Sequence, residues 1–268
     1  MGPPPGGRRL PARSRPGAPG RDRPMSAGDA WWGPWRETAD SLTLHVDLRP
    51  DPDREERALD MLDEHELARW KRFRVEGARH RFALCRAALR INLCERLRCS
   101  NRELSFGYLK HGKPFAKVDG RPSGVSFNVS HSGEHGLIGF AKREGLGVDL
   151  EVRAPGRDFD GIGRMVYGPR ERLALSTAAG PEKAELFYRF WSLKEALIKA
   201  LGTGFALNPS RFEVPGPIIE GERSALFRFP HLPSDPYWLE DLGEPRFAAA
   251  RAFRLAEDVP QAGIVETS

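Results

Sequence analysis

The sequence has 268 residues, of which 40% are hydrophobic, and its formal net charge at pH 7 is +5. That length suffices for one large domain or two smaller lobes, and no apolar run approaches the roughly 18 residues that a membrane-spanning helix needs. The excess positive charge lies in the first 24 residues, where six arginines face one aspartate, so the basic balance gives little support to nucleic-acid binding.

The N-terminal segment, residues 1–30, is rich in proline, glycine and arginine, which predicts a disordered tail. It lacks the apolar core of a secretory signal peptide. An alternative interpretation is a misassigned start, with Met25 as the true first residue. We also expect a short C-terminal tail at residues 259–268. The sequence has three cysteines: Cys85, Cys94 and Cys99. Their number and spacing match neither a disulfide framework nor a zinc site, which favours reduced thiols in a cytoplasmic protein.

The first half of the chain alternates predicted strands and helices. Residues 41–48 alternate polar and apolar side chains, as a half-buried strand does. A long helical stretch is predicted from Asp51 to about Phe73, and a second helix from about Ala78 to Leu97. A turn is predicted at residues 112–114. Further strands are predicted at residues 104–109, 125–129 and 137–141. We place a boundary between two lobes at residue 142, which gives an N-terminal lobe of residues 31–142.

The second predicted lobe, residues 143–258, begins with a strand at Gly147–Glu151. A loop rich in glycine and arginine follows, and a helix starts near Pro169, because proline suits the first helical turn. The best-defined helix runs from about Pro181 to Leu201, with a continuous apolar stripe and Gly202 as its terminator. Three further strands are predicted at residues 212–214, 225–229 and 247–255.

Two acidic patterns in this second half suggest chemistry. Asp149 and Glu151 are two residues apart on a predicted strand, so both side chains point to the same face. Paired carboxylates repel one another unless a cation lies between them, although isolated acidic residues on a strand are also common at surfaces. Glu195 and Lys199 are four residues apart on the predicted helix, and an ordinary surface ion pair explains this spacing better when the pair is taken alone. Each pattern alone is weak.

Four segments taken together resemble a known family. They read Gly-Lys-Pro at 112–114, Phe-Asn-Val-Ser-His-Ser at 127–132, Gly-Val-Asp-Leu-Glu at 147–151 and Trp-Ser-Leu-Lys-Glu-Ala-Leu-Ile-Lys at 191–199. The chain resembles the 4'-phosphopantetheinyl transferases over roughly residues 35 to 255, and its length is similar to the long, Sfp type. The resemblance implies an α+β fold of two similar lobes with pseudo-two-fold symmetry and an active site at the lobe interface.

The resemblance also implies roles for individual residues. The implied metal ligands are Asp149, Glu151 and Glu195. Glu195 is also the implied general base, Lys199 and His131 would hold the pyrophosphate, and Ser130 would shape the loop. The other implied coenzyme A contacts are Lys113, Lys194, Arg69 and Arg81. The two arginines belong to a basic cluster that a solvated helix face would also explain.

The implied reaction transfers 4'-phosphopantetheine from coenzyme A to a serine of an apo acyl- or peptidyl-carrier protein, with Mg²⁺ (or Mn²⁺) as cofactor and 3',5'-ADP as the second product. We expect a monomer that acts in polyketide or nonribosomal-peptide biosynthesis and binds neither nucleic acid nor membrane. An alternative is a catalytically inactive coenzyme-A-binding protein. An arginine-based nucleic-acid-binding protein and a magnesium-dependent phosphatase or nucleotidyl transferase explain fewer of the four segments.

Overall fold

The computed structural model describes residues 30–154, 156–204 and 207–255. Met25, the predicted C-terminal tail and all but the last residue of the predicted N-terminal tail lie outside these ranges. Within them, seven α-helices and eleven β-strands form the α+β architecture that the sequence predicts. None of the helices in these ranges combines the length and apolar character needed to cross a membrane.

One four-stranded antiparallel sheet comes from the first half of the chain. Its strands are β1 (Trp32–Glu37), β2 (Ser41–Asp47), β6 (Ser126–Ser132) and β7 (His135–Ala141). They lie in the order β1-β2-β7-β6. Sequence analysis missed β1, whose Gly33 and Pro34 weaken the strand pattern. It also ended β6 too early, because residues 130–132 continue the strand and pair with β7.

Three helices accompany this sheet: α1 (Pro52–Met61), α2 (Glu64–Arg72) and α3 (Glu76–Leu97). The single helix predicted over residues 51–73 is therefore wrong. Asp63 begins a new helix, since its Oδ1 accepts a hydrogen bond from Glu66 N at 2.8 Å and Glu66 Oε2 accepts one from Asp63 N at 3.0 Å. This reciprocal capping satisfies amides that a helix start leaves free. A small sheet follows, made of β3 (Leu104–Tyr108), β4 (Pro114–Val118) and β5 (Arg121–Pro122).

The second half forms another four-stranded antiparallel sheet. Its strands are β8 (Leu146–Val152), β9 (Ser224–Phe229), β10 (Leu232–Asp241) and β11 (Phe247–Arg254), in the order β8-β11-β10-β9. The accompanying helices are α4 (Phe159–Val166), α5 (Pro169–Thr177), α6 (Gly180–Leu201) and α7 (Gly216–Ile219), with a 3-10 turn at Pro209–Arg211. Sequence analysis missed β10 and α4.

The segment predicted as a strand at residues 212–214 is irregular in the structure, although Phe212 and Val214 are buried in the core beside α6. Its apolar residues mark burial rather than strand pairing. By their contacts, residues from Trp31 onward group into one compact unit. The division into lobes at residues 142 and 143 therefore stays a prediction, although each half contributes its own four-stranded sheet.

Candidate active site

Asp149 and Glu151 lie on β8, the edge strand of the second sheet, beside β6 of the first sheet. Asp149 is only 3% exposed. Its Oδ1 accepts hydrogen bonds from Ser130 Oγ at 3.0 Å and from Lys199 Nζ at 2.6 Å. Lys199 Nζ also donates to Ser130 Oγ at 3.0 Å. The three sequence segments that carry these residues therefore meet at one point.

Helix α6 reaches this point because it packs directly onto β8. A Cβ atom at Gly147 would lie 2.1 Å from Ala196 O and 2.4 Å from Ala200 N, both backbone atoms of α6. Only glycine permits so close an approach of helix and strand. The contact sets Glu195 and Lys199, one helical turn apart, against the carboxylates of β8.

The three carboxylates influence one another strongly. The pKa of Glu195 is raised to about 7, chiefly by burial and then by the charge of Asp149, with Glu151 adding to the effect and Lys199 opposing it. The pKa of Glu151 is also raised, first by burial and then by Asp149, while the hydrogen bond from Ser132 and the charge of Lys199 lower it. A single ammonium group thus accompanies three acidic side chains, and it does not offset their repulsion fully.

The donor chemistry of this cluster fits a hard divalent cation. Asp149 Oδ2 and Glu195 Oε1 are buried without a hydrogen-bond partner, a costly condition for a carboxylate oxygen. Oxygen ligands of this kind are what Mg²⁺ and Mn²⁺ prefer. No three His, Cys, Asp or Glu side chains in the described ranges are already arranged as a ligand set. The carboxylates are therefore neighbours that would have to adjust around an ion.

Three cationic side chains act on His131: Arg81, Lys199 and Arg69. His131 is exposed on β6, and partial desolvation lowers its pKa, as do the charges of Arg81, Lys199 and Arg69, in that order of importance among the cations. The guanidinium of Arg69 also lies over the Phe82 ring, 5.0 Å from its centroid. The structure thus brings both predicted arginines into the electrostatic neighbourhood of His131. We call Arg69, Arg81, His131 and Lys199 the basic wall. Such a wall beside an acidic cluster suits a bound pyrophosphate.

Lys113, an implied coenzyme A contact, is hydrogen-bonded to backbone carbonyls in the structure. Its Nζ donates to Lys199 O at 2.8 Å, to Leu146 O at 2.9 Å and to Ala200 O at 3.4 Å. It therefore satisfies carbonyls that the C-terminal end of α6 leaves free. Burial lowers the pKa of this ammonium to about 8, with the charge of Glu144 opposing the shift.

Lys194, for which the resemblance implied the same surroundings as Lys199, contacts other groups in the structure. Its side chain is buried in the second half of the chain. Its Nζ donates to Glu171 Oε1 at 2.7 Å and to Phe212 O at 2.6 Å. Both charged side chains of this pair are almost fully buried, so these contacts indicate a structural ion pair.

Sequence reasoning missed three contributors to the site. Ser132 Oγ donates to Glu151 Oε2 at 3.1 Å, Asn128 binds the backbone of β8, and Gly147 allows the approach of α6. The signal for the first two was the polar character of alternate positions 128, 130 and 132, which places all three side chains on one face of a strand. That signal was hidden by the prediction that the strand ends at residue 129.

Two models of 4'-phosphopantetheinyl transferases match the chain. Residues 145–252 match the model of the 4'-phosphopantetheinyl transferase superfamily, and residues 47–141 match the model of the N-terminal part of a 4'-phosphopantetheinyl transferase. The chain belongs to the 4'-phosphopantetheinyl transferase superfamily. The resemblance found in the sequence is thereby confirmed.

Individual members of the superfamily are similar to this chain. A putative 4'-phosphopantetheinyl transferase of Synechocystis is 36% identical over 146 residues, which are 54% of this chain and 59% of that protein. The 4'-phosphopantetheinyl transferase HetI of Nostoc is 34% identical over 54% of this chain and 61% of its own length. The transferase Sfp of Bacillus subtilis is 25% identical over 64% of this chain and 74% of its own length. The match thus spans about three fifths of the first two relatives.

Proposed function

We propose that this protein transfers the 4'-phosphopantetheine group from coenzyme A to a serine of an apo acyl- or peptidyl-carrier protein and releases 3',5'-ADP. The observation that carries the proposal is the meeting of Asp149, Glu151 and Glu195 with Lys199 beside His131. Acidic oxygen ligands next to a basic wall are the two elements that transfer of a phosphoryl-linked group requires.

Glu195 is the group to accept the proton of the attacking serine. Without a bound cation the pKa of Glu195 is about 7, so the carboxylate is partly ionised at neutral pH. A bound cation would favour the ionised form, which is the form that accepts a proton. The serine oxygen forms a bond to the β-phosphorus of coenzyme A, the bond between that phosphorus and the oxygen of the departing 3',5'-ADP breaks, and the serine proton passes to Glu195 directly or through one water.

The basic residues hold the phosphates of coenzyme A. The ammonium of Lys199 lies closest to the carboxylates, so we assign it to the pyrophosphate, where it offsets negative charge as the bond breaks. His131 donates a hydrogen bond to the same group. Arg69 and Arg81 suit the 3'-phosphate because a guanidinium binds phosphate oxygens in pairs.

The side chains that would hold a metal ion are Asp149, Glu151 and Glu195. A bound Mg²⁺, or Mn²⁺ as the alternative, supplies charge neutralisation on the pyrophosphate oxygens. This assignment rests on the two unpaired buried oxygens, Asp149 Oδ2 and Glu195 Oε1, and on oxygen-only donor chemistry.

The remaining expectations belong to the same proposal. A single chain that carries both the basic wall and the acidic cluster can act as a monomer. The three cysteines are free thiols in the structure, which is compatible with a cytoplasmic location. We propose carrier proteins of polyketide or nonribosomal-peptide synthesis as partners, and neither nucleic acid nor a membrane.

The test is intact-mass analysis of apo carrier proteins from several classes, incubated with this protein, coenzyme A and Mg²⁺. We expect a gain of one phosphopantetheine group that a chelator abolishes. Glu195→Gln should abolish the gain as well. A matched control is Glu185→Gln, since Glu185 is an exposed residue two to three turns earlier on the same helix; this variant should transfer normally.

The same experiment separates the alternative of an inactive coenzyme-A-binding protein. That alternative predicts calorimetric binding of coenzyme A without a mass gain on any carrier. No gain and no binding would reject both functions. A gain that survives thorough removal of divalent metal would leave the transferase in place and reject the metal assignment.

A further inference from the structure

The outer edge of β8 has no strand partner within the described sheets, because β8 pairs only with β11. An edge strand leaves a row of amides and carbonyls that must find other partners when buried. Three outward amides are instead bonded to side chains from alternate positions of β6. The bonds run from Val148 N to Asn128 Oδ1 (2.9 Å), from Leu150 N to Ser130 Oγ (3.3 Å) and from Val152 N to Ser132 Oγ (3.1 Å).

The outward carbonyls of the same edge are satisfied by two lysines. Lys113 Nζ donates to Leu146 O at 2.9 Å, and Lys199 Nζ donates to Val148 O at 3.2 Å. The edge of β8 is therefore joined to its surroundings by side chains along most of its length. Because polar side chains replace a backbone ladder here, a single substitution can release one amide without breaking a sheet.

The hydroxyl groups also orient the acidic cluster. Ser130 Oγ donates to Asp149 Oδ1, and Ser132 Oγ donates to Glu151 Oε2, while each oxygen accepts an amide of β8. A hydroxyl has one proton to donate and two lone pairs to accept with, so each serine can donate to its carboxylate while it accepts the amide of β8. Each serine thus fixes its carboxylate relative to the strand that carries it.

We propose that Asn128, Ser130 and Ser132 form an edge clamp that sets β8 and its two carboxylates in position for catalysis, with Asn128 and Ser132 as positioning residues. The functional part rests on the proposed transferase activity. Ser132 orients Glu151 for metal binding, and Asn128 fixes the strand at Val148, one residue before Asp149. Side chains that orient metal ligands typically change metal affinity 10- to 100-fold when removed.

Amide hydrogen exchange tests the clamp without reference to activity. In Ser132→Ala we expect the Val152 amide to exchange about tenfold faster, as the loss of one hydrogen bond implies, and the Val148 amide to stay unchanged. In Asn128→Ala we expect the Val148 amide to exchange faster and the Val152 amide to stay unchanged. Ser132→Thr retains a hydroxyl and should restore protection of Val152. Ser126→Ala, on the same face of β6, serves as the control and should leave both amides unchanged.

Metal binding tests the link to the carboxylates. A titration with Mn²⁺ alone, followed by electron paramagnetic resonance, should show affinity reduced about tenfold in Ser132→Ala and recovered in Ser132→Thr. In transfer assays the same variant should need about tenfold more Mg²⁺ for half-maximal rate, with an unchanged KM for the carrier protein.

The outcomes distinguish failure of the clamp from failure of the function. Unaltered exchange of Val152 in a folded Ser132→Ala variant would refute the clamp, whatever the wild-type activity is. The expected exchange pattern in a protein that transfers nothing to any carrier would reject the proposed function and the catalytic role, while the clamp would stand as a structural device. Altered exchange with unaltered Mn²⁺ affinity would refute the positioning of Glu151.

A separate observation concerns the end of α3. Arg98 has a left-handed conformation (φ 51), Cys99 N donates to Cys94 O at 3.1 Å, and Arg98 N donates to Glu95 O at 3.3 Å. This arrangement is the Schellman motif, which brings together the side chains at the two positions held by Cys94 and Cys99. The 6→1 hydrogen bond keeps their Cα atoms within about 7 Å, close to the range of disulfides.

The structure assigns to Cys94 and Cys99 a modification site, a dithiol that a low-molecular-weight disulfide oxidises. One thiolate attacks that disulfide and releases a thiol. The second thiolate then attacks the mixed disulfide, so the protein loses two hydrogens, a Cys94–Cys99 bond forms and the reagent leaves as two thiols. Burial raises the pKa of Cys94 to about 11, and the adjacent Cys99 thiol raises it too, which makes the reaction slow at neutral pH.

The test treats the folded protein with excess oxidised glutathione and measures its intact mass. We expect a loss of roughly 2 Da, two hydrogens, without a lasting adduct. Cys94→Ser or Cys99→Ser should instead retain one glutathione, and Cys85→Ser should behave as the wild type because Cys85 is buried. Stable adducts on both cysteines of the wild-type protein would overturn the assignment.

Discussion

Replacing Glu195 with glutamine should stabilise the metal-free protein while it abolishes transfer. Burial and the neighbouring carboxylates raise the pKa of Glu195 from 4.5 to about 7. The folded protein therefore retains this proton to a higher pH than the unfolded chain does. By linkage, the wild-type protein loses stability as the pH rises from about 4.5 to about 7, and the loss is complete above that range.

The difference between the unfolded and folded pKa values of Glu195 sets the size of this change in the free energy of unfolding. At 1.36 kcal/mol for each pKa unit, it corresponds to an upper bound of roughly 3 kcal/mol. Relaxation of the surrounding groups and water penetration reduce the effect, so we expect a gain of about 1–2 kcal/mol for Glu195→Gln at pH 8. At pH 5 the wild-type group is largely protonated in the folded state, and the gain should fall to less than half of that value.

Urea unfolding of both proteins at pH 5 and pH 8, with a chelator present, measures this difference directly. Groups remote from the acidic cluster titrate equally in both proteins, so their contributions to the free energy of unfolding cancel in the comparison, and the difference reports the coupled carboxylates. A Glu195→Gln variant that is no more stable than the wild type at pH 8 would refute the reasoning, and so would a gain of equal size at the two pH values. Glu185→Gln should show little pH-dependent gain, because Glu185 is exposed.

Three further substitutions test the site and its scaffold. Lys199→Met removes the ammonium nearest the carboxylates and should cost about 2 kcal/mol of unfolding free energy at pH 8, with part of the loss regained in Mg²⁺. Lys194→Met should lower the free energy of unfolding by about 3–5 kcal/mol, because it leaves Glu171 buried and unpaired. Adding Glu171→Gln should recover part of this loss. An unchanged KM for coenzyme A in the folded fraction would show that the pair is separate from the site. Gly147→Ala should destabilise the fold by about 3 kcal/mol or more, because the added methyl group overlaps the α6 backbone. Gly33→Ala is the control: its methyl group meets nothing within 4 Å, and the variant should be as stable as the wild type. Thermal melting compares the two variants.

Local sequence signals predicted much of the fold. The apolar stripe and the terminal glycine predicted the first residue of α6 to within one position and its last residue correctly. The alternation of polar and apolar residues predicted β2. The helix break at Asp63 had a visible capping signal that the helical pattern around it concealed. The strand β10 was missed because Pro233 and Pro236 interrupt its pattern, and its pairing with β9 and β11 is a long-range property.

The candidate site was likewise predictable in part. Family resemblance singled out Asp149, Glu195 and Lys199, which the structure brings together. It could not show that Lys194 pairs with Glu171, because that contact depends on how α5 packs against α6. A lysine beside a functional glutamate in sequence points about 100° away from it on a helix. Adjacency along the chain is thus a poor guide to shared surroundings.

The acidic cluster gives the folded protein a specific dependence on cations. Burial and mutual repulsion make ionisation of Glu151 and Glu195 unfavourable, and two carboxylate oxygens lack partners. A divalent ion that binds only the folded state raises the free energy of unfolding by RT ln(1 + [ion]/Kd), which is about 2.7 kcal/mol when the ion concentration is one hundred times Kd. Asp149→Asn should weaken that stabilisation, because it removes one of the three carboxylates assigned to the ion. An equal rise in thermal midpoint with Mg²⁺ for the variant and the wild type would mean that the ion binds elsewhere on the molecule.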